Sequence, residues 1–311
     1  MRKCVLITFL SFILCGVEVC AKSMDFITIE TAGLNMFFTI SENKKVSFLY
    51  FGDRLVSDSR TTVLNKEYKL RRDGRSLIPE IFPTSGDFLD PALQLTHADG
   101  VFTTDLYYVE HNTINMDDNV SETTIRLKDK LYPLFVNIVF KAYKKENIIA
   151  QYIELENGEQ DAIKIEKIAS AYLPLHRKSY YLTHFYGGWG AEMKMKEEQL
   201  TPGTKSIEAR TGILTTESVN SSFMLSADAP AQEGTGEIYA GSLAWSGNYK
   251  MTFELDKYGI LHMVGGINPY ASMLLIEPGK KIKMPRNATA FQSGAADGSR
   301  THLCSLGSCR S

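Results

Sequence analysis

Cysteine is absent from the body of this chain. The five cysteines lie near its two ends, with none between Cys20 and Cys304. This distribution excludes a disulfide framework and a cysteine-based zinc site from the long middle of the sequence. A chain of this size can bury a core large enough to fold without either.

An excess of charge and a helical pattern are absent too. Lysine and arginine number 34 against 36 aspartates and glutamates. No basic stripe occurs, so we expect no nucleic-acid partner. No long segment has apolar residues at helical spacing, and no proline- or serine-rich linker divides the sequence. These absences favour one large all-β domain.

The N-terminus has the layout of a secretory signal peptide. Arg2-Lys3 precedes an apolar run over residues 4–19, and small residues lead to a cleavage point after Ala21. The run is shorter than the roughly 20 residues of a membrane-spanning helix. We therefore predict a signal peptide over residues 1–21, export across the inner membrane to the periplasm, and no membrane span after cleavage.

Short strand-like runs alternate with turn signals from Phe26 onward. Residues 134–143 are the clearest case, because every even position is apolar. A polar turn, a second run over 148–155 and the turn dipeptide Asn157-Gly158 follow. Residues 194–200 favour one short helical turn instead. So many strands predict two large packed antiparallel sheets in a domain spanning residues 22–290.

The end of the sequence changes character. Residues 291–311 are mostly small, polar and aperiodic, a composition typical of disorder. We predict a disordered tail there, and our hypothesis is that this tail is not native domain sequence.

Several motifs, in the correct order, resemble the N-terminal domain of glycoside hydrolase family 36, the α-galactosidase family. They are Phe82-Pro83 with Gly86-Asp87-Phe88-Leu89-Asp90-Pro91-Ala92, residues 149–171 around Asn157-Gly158, Gly187-Gly188-Trp189-Gly190-Ala191-Glu192, residues 236–249, Gly265-Gly266-Ile267-Asn268-Pro269, and Glu277-Pro278-Gly279. The resemblance covers nearly the whole body of the chain. It implies an all-β fold, a β-supersandwich of the galactose-mutarotase type.

The resemblance also implies an activity and its partners. Members of the family hydrolyse terminal α-galactosides with retention, using two aspartates of a (β/α)8 barrel that follows this domain. One aspartate belongs to a Lys-Trp-Asp motif, yet Trp189 and Trp245 are the only tryptophans here and neither lies in such a motif. We therefore expect no catalytic residue in this chain, which ends before the barrel and is inactive alone. The implied partners are an α-galactoside, the missing barrel and further copies through this domain, with no cofactor.

Two residues are candidates for substrate binding. The resemblance places Asp87 at the position whose carboxylate binds a galactosyl hydroxyl, although Leu89 stands where the family often has arginine. A turn-forming role is the alternative for Asp87. Trp189 could stack on a sugar ring or serve as a buried anchor. Trp245 is predicted to open a strand and lie in the core.

Other chemistry-bearing residues have plainer interpretations. Glu192 and Glu237 could form a carboxylate pair, but nothing in the sequence brings them together, and structural or exposed roles are favoured. The six histidines, at positions 97, 111, 176, 184, 262 and 302, show no metal-ligand spacing, so no metal is expected.

Two other functions stay open. One is a non-catalytic carbohydrate-binding β-sandwich that holds a galactoside by itself. The other is a mutarotase-like sugar epimerase, which needs a histidine and a glutamate converging on the sugar ring.

Overall fold

The computed structural model describes residues 25–56, 78–85, 89–214, 219–230, 232 and 235–294. Strands make up most of this part of the chain, with one 3-10 turn at Gly212–Leu214. The strands are β1 Asp25–Glu30, β2 Leu34–Ile40, β3 Val46–Asp53, β4 Leu93–Thr96, β5 Leu106–Asn115, β6 Val120–Asp129, β7 Leu134–Tyr143, β8 Ile148–Asn157, β9 Ile163–His176, β10 Tyr180–Tyr186, β11 Lys194–Gln199, β12 Gly203–Ala209, β13 Val219–Ala227, β14 Gly236–Leu243, β15 Tyr249–Leu255, β16 Ile260–Ile267, β17 Leu274–Ile276, β18 Lys281–Lys283 and β19 Asn287–Gly294.

The strand predictions vary in accuracy. The strand predicted over 134–143 is confirmed as β7, and the run from 148 is confirmed as β8. The helical turn predicted over 194–200 is wrong, because these residues form β11, which pairs with β10 from Tyr181↔Gln199 to Tyr186↔Lys194. The ladder hydrogen bonds to β10 outweigh the local helical preference of a lysine- and glutamate-rich segment.

The predicted galactose-mutarotase-like β-supersandwich of two large sheets is wrong, although the all-β class is confirmed. The strands join into antiparallel sheets of three, ten and six strands. The six-stranded sheet divides at β9, whose first half pairs with β4 and β17 and whose second half pairs with β16. The resulting groups form a ring like that of a four-bladed propeller.

A bulge explains how β9 can pair with two groups of strands. The register of β16 against β9 shifts between Gly265 and Gly266. A Cβ at Gly266 would lie 2.8 Å from the Cα of Ala169, so only glycine allows this backbone approach. Bulges bend a strand and increase its twist, which carries β9 from one group of strands to the next.

Aromatic side chains join the sheets in the core. Phe223 of the ten-stranded sheet packs edge-on against Phe253 of the six-stranded sheet, with ring centroids 5.1 Å apart. Phe38 of the three-stranded sheet packs against Phe140 of the ten-stranded sheet at 5.3 Å. Burying each such ring stabilises the fold by about 1.5–3 kcal/mol.

Strand register gathers four connections at one end of the molecule, here called the loop end. Tyr186 of β10 pairs with Val219 of β13, and the start of β13 pairs with the end of β14. Tyr249 of β15 pairs with both Ala209 of β12 and Ile267 of β16. The connections after β10, β12, β14 and β16 therefore emerge together and carry Trp189, Ile213, Trp245 and Tyr270 respectively.

The signal peptide and the disordered tail predicted at the two chain ends remain predictions. Strand β19 continues to Gly294, beyond the residue 290 at which the sequence reading ends the domain. The predicted signal peptide and residues 295–311 lie outside the described residues. No helix in the described ranges has the length and apolar character needed to cross a membrane.

Candidate functional site

The loop over residues 82–92 is held firmly at its first stem. The Thr84 hydroxyl donates to the carbonyl oxygen of Thr104 at 2.7 Å, and the Ser85 hydroxyl donates to that of Phe102 at 2.6 Å. Residues 86–88, including the candidate Asp87, lie outside the described residues. Asp87 therefore stays a prediction, carried by a loop whose described stem is hydrogen-bonded to its surroundings.

Asp90 anchors the second stem of the same loop. Its carboxylate accepts hydrogen bonds from the Lys167 ammonium on β9 and the Thr252 hydroxyl on β15, both at 2.6 Å. Its backbone N–H donates to the Glu254 carboxylate at 2.7 Å. Asp90 thus ties the loop to β9 and β15, two strands of the six-stranded sheet.

Lys167 is the buried member of this contact. Its side chain is 14% exposed, and burial lowers its pKa, while the hydrogen bond to Asp90 acts in the opposite direction. Burying an ammonium is costly unless a carboxylate compensates it. The sequence assigns no role to Lys167 or Asp90. The available signal was that Lys167 continues the alternate positions of the apolar residues Ile163 and Ile165.

The β10–β11 connection forms a tight turn that presents Trp189. The Ala191 N–H donates to the Gly188 carbonyl at 2.9 Å, and the Gly190 N–H donates to the Glu192 carboxylate at 2.9 Å. A Cβ at Gly187 would lie 2.4 Å from the carbonyl oxygen of Ala191, so the turn requires glycine there.

Trp189 is almost fully exposed, at 89% of its surface. The alternative of a buried anchor is therefore wrong. Met193, which ends the turn, is also exposed and accepts a hydrogen bond at its sulfur from the Asn220 amide at 3.7 Å. An exposed indole on an internally hydrogen-bonded turn offers a flat apolar face without a large ordering cost on binding.

Trp245 also lies on the surface of the loop end, so its predicted core position is wrong. It is 41% exposed and follows β14 rather than opening a strand. Its indole N–H donates to the carbonyl of Asn248 at 3.2 Å. The Asn248 side chain in turn accepts from the N–H of Gly212 at 2.7 Å. This asparagine therefore connects the loops that carry Trp245 and Ile213.

Glu192 and Glu237 do not form a catalytic pair. Glu237 forms an ion pair with Arg177 at 2.7 Å, at the end of β14 opposite to the loop end. Glu192 accepts the Gly190 N–H within its own turn. Both glutamates have structural partners, as the sequence favoured.

Three described histidines contact carboxylates, and two of these pairs lie in the interior. His97 contacts Glu159 at 2.7 Å, and both side chains are almost fully buried. His262 bridges the Tyr172 hydroxyl at 2.7 Å and Asp256 at 3.4 Å, also in the interior.

The remaining pair is more open. His184 lies 3.6 Å from Glu198, and burial together with nearby Lys205 lowers the pKa of its imidazole. Within the described residues no cluster of histidine, cysteine, aspartate or glutamate has the arrangement of a metal site.

Within the described residues, the three histidine–carboxylate pairs lie in or close to the interior, and none of them belongs to the loop end. The loop end offers exposed aromatic faces and backbone groups held in tight turns. Such features suit a polar ligand with apolar patches, because rings stack on the patches and carboxylates accept its hydroxyl protons.

Comparison with known proteins identifies relatives. The model of the glycosyl hydrolase family 36 N-terminal domain matches residues 44–276. The chain is 26% identical over 233 residues to alpha-galactosidase AgaA of Geobacillus stearothermophilus, covering 70% of this chain and 32% of AgaA. It is 24% identical over 283 residues to alpha-galactosidase Mel36A of Lactobacillus acidophilus, covering 81% of this chain and 38% of Mel36A.

Solved structures share the fold. A doubly substituted AgaA in complex with raffinose superposes with a TM-score of 0.80 at 23% identity, over 87% of this chain and 41% of that one. The alpha-galactosidase from Lactobacillus brevis superposes with a TM-score of 0.78 at 21% identity, over 87% and 40%. The chain thus spans well under half the length of the enzymes it matches.

Proposed function

The chain belongs to the family of glycosyl hydrolase family 36 N-terminal domains. We therefore propose that it is a non-catalytic domain of an α-galactosidase-type enzyme and that it contacts the substrate. The family match over residues 44–276 carries this proposal. The curated relatives are named alpha-galactosidases, and variants of one of them are solved with raffinose and with stachyose. The substrate class we infer is a terminal α-galactoside.

The chemistry of retaining glycosidases indicates which steps belong to this chain and which belong to the catalytic barrel. Such enzymes need two carboxylates about 5 Å apart, one as nucleophile and one as acid/base. We assign both to a catalytic barrel outside this sequence. To this chain we assign ligand contacts, with the Asp87 carboxylate accepting galactosyl hydroxyls and Trp189 stacking on a sugar face. Export to the periplasm, proposed from residues 1–21, would place the enzyme where extracellular oligosaccharides arrive.

The loop end supports a role beside another domain. Large apolar side chains are exposed there, among them Trp189 at 89% and Ile213 at 83%. Exposed apolar surface of this kind is typical of an interaction site. We propose that the catalytic barrel covers part of this surface and that the sugar binds at its margin.

A second candidate function is an autonomous carbohydrate-binding module. The exposure of Trp189 on a turn closed by its own hydrogen bonds favours it, because such a platform can bind without help from a barrel. The two functions differ in affinity: a module binds a galactoside tightly by itself, whereas one wall of a larger site binds it weakly.

Saturation-transfer NMR and a hydrolysis assay on the purified chain test the proposal. We expect a methyl α-galactoside signal that is stronger than the methyl α-glucoside signal and is weakened by Asp87→Asn and by Trp189→Ala. Nitrophenyl α-galactoside and raffinose should not be hydrolysed. Equal signals for the two sugars, unchanged in both variants, would refute the assigned contacts, and turnover by this chain would refute the assigned division of labour.

Titration calorimetry separates the two candidate functions. Sub-millimolar affinity for raffinose would favour the autonomous module, and affinity weaker than that would favour one wall of a composite site.

A further inference from the structure

The ten-stranded sheet has a short contact near its middle, where β8 meets β19. Within the described residues, β19 pairs with β14 at eight positions but with β8 at three, from Asn287↔Gln151 to Thr289↔Ile149. This short contact is here called the seam. In the strand order it joins β14 and the strands beyond it to β8 and the strands on its other side. Side-chain contacts at the seam therefore help to hold the two halves of the sheet together.

The first cross-strand pair of the seam carries three buried polar atoms that have no hydrogen-bond partner among the described residues. Asn287 is fully buried, and neither its Oδ1 nor its Nδ2 is bonded. The Nε2 of Gln151, which is also buried, is not bonded either. Buried polar groups are nearly always hydrogen-bonded, because an unpaired group loses the bonds that it makes to water in the unfolded chain. These amides therefore require a partner.

The three-stranded sheet covers the Gln151 side chain. Gln151 lies opposite Phe140 of β7 in the ladder, and directly opposite residues point to the same face of a sheet. The Phe140 ring packs against Phe38 of the three-stranded sheet, with ring centroids 5.3 Å apart. The Gln151 side chain therefore points toward the three-stranded sheet and away from bulk solvent.

The same sheet covers the Asn287 side chain. Asn287 lies opposite Leu243 of β14, and Tyr239 is on the same face of β14 because an even number of residues separates it from Leu243. The Tyr239 ring packs against Phe51 of the three-stranded sheet, with centroids 6.0 Å apart. Both amides therefore point into the interface between the two sheets, where the neighbouring phenylalanine rings offer them no hydrogen bond.

We propose that Asn287 and Gln151 bind an ordered water molecule in the core, beneath the three-stranded sheet. The water accepts hydrogen bonds from the Nδ2 of Asn287 and the Nε2 of Gln151 and donates one to a side-chain oxygen of the pair. Buried waters typically make about three such bonds. A direct bond from Nε2 to Oδ1 would leave Nδ2 unpaired, so it satisfies fewer groups.

The chemistry of the unpaired atoms favours water over other ligands. All three atoms belong to uncharged amides, so they do not compensate the charge of a buried ion. Bridging the first pair of the seam, the water joins β8 to β19 where their backbone contact is shortest. The water site does not depend on the proposed function, because no sugar takes part in it.

Oxygen-17 magnetic relaxation dispersion on the full chain tests the site, because it detects waters held inside a protein. Asn287→Leu combined with Gln151→Leu should remove a dispersion amplitude equal to about one water. Ser222→Ala combined with Ser242→Ala is the control in the same sheet and should keep the amplitude, because these hydroxyls bond each other at 3.0 Å. Equal amplitudes in the wild-type and leucine variants, or an equal loss in the control, would overturn the proposal.

Unfolding measurements test whether the two amides share one ligand. Asn287→Leu and Gln151→Leu should each lower the urea midpoint, because the remaining amide loses part of its bridge. The double variant should recover most of that loss, since no unpaired amide is left in the core. Hydrogen exchange of the backbone amides of residues 149–151 should be faster in each single variant than in the wild-type chain. Additive losses in the double variant would show that the amides do not act together.

A high-resolution crystal structure of the wild-type chain tests the site without any substitution. We expect electron density for a water within hydrogen-bond distance of both amides. A direct bond between the two side chains, with no water beside them, would refute the proposal even if the unfolding results were as expected.

Discussion

At the scale of single residues, Lys167 and Asp90 illustrate how a charged pair holds a surface loop. Thr252 and the backbone bond to Glu254 complete the anchor, so each polar atom of the Asp90 carboxylate has a partner.

Replacing Lys167 should measurably destabilise the domain. Lys167→Ala leaves a half-buried carboxylate without its cation, and we expect a loss of about 2 kcal/mol in the free energy of unfolding. Urea denaturation followed by fluorescence measures it.

Lys281→Ala serves as the control. Lys281 is 59% exposed and pairs with Glu156, so its loss should change stability by no more than about 0.5 kcal/mol. Similar values for the two variants would show that the Asp90 contact does not stabilise the fold.

At the scale of elements, the turn between β10 and β11 depends on backbone space more than on side-chain contacts. A Cβ at Gly187 meets the backbone of Ala191 and Glu192, whereas a Cβ at Gly188 meets nothing within 4 Å. The turn therefore requires glycine at position 187, whereas position 188 has room for a larger side chain.

The two alanine variants should therefore differ. Gly187→Ala should open the turn at a cost of about 1–3 kcal/mol, with a change in the tryptophan emission spectrum. Gly188→Ala should alter stability by no more than about 0.5 kcal/mol. Thermal melts and fluorescence spectra measure both effects, and a tolerated Gly187→Ala would mean that the turn adopts another conformation.

The β10–β11 hairpin also shows why one local prediction failed. The sequence Lys-Met-Lys-Glu-Glu-Gln contains mainly helix-favouring residues, yet it forms β11. Its partner β10 offers a row of N–H and C=O groups that a single helical turn cannot replace. By contrast, β7 was predicted correctly because its apolar alternation matches a strand with one face in the core.

At the scale of the whole molecule, the loop end carries several large exposed apolar side chains. Trp189 and Ile213 come from separate connections, and the strand register brings those connections to the same end. The opposite end of the same strands carries the Arg177–Glu237 ion pair.

Polar substitutions at the loop end should reduce its binding of apolar molecules without affecting the fold. For Trp189→Ser combined with Ile213→Ser, we expect weaker binding of an apolar fluorescent dye and an unfolding free energy within about 0.5 kcal/mol of the wild-type value. Ile114→Ser on β5 is the control and should leave most dye binding intact. Unchanged dye binding in the double variant would place the apolar surface elsewhere.

The sequence by itself determined the all-β class, several strand positions and the family. Apolar alternation, turn dipeptides and motif order are local along the chain and can be read without knowing how strands meet. The number and grouping of sheets were decided only in three dimensions, because β9 changes partners at a bulge where Gly266 permits close backbone approach. The exposure of Trp189 and Trp245 and the anchoring of Asp90 by Lys167 were decided there too. Burial and charge pairing depend on strands that lie far apart in the sequence, and only the folded backbone brings those strands together.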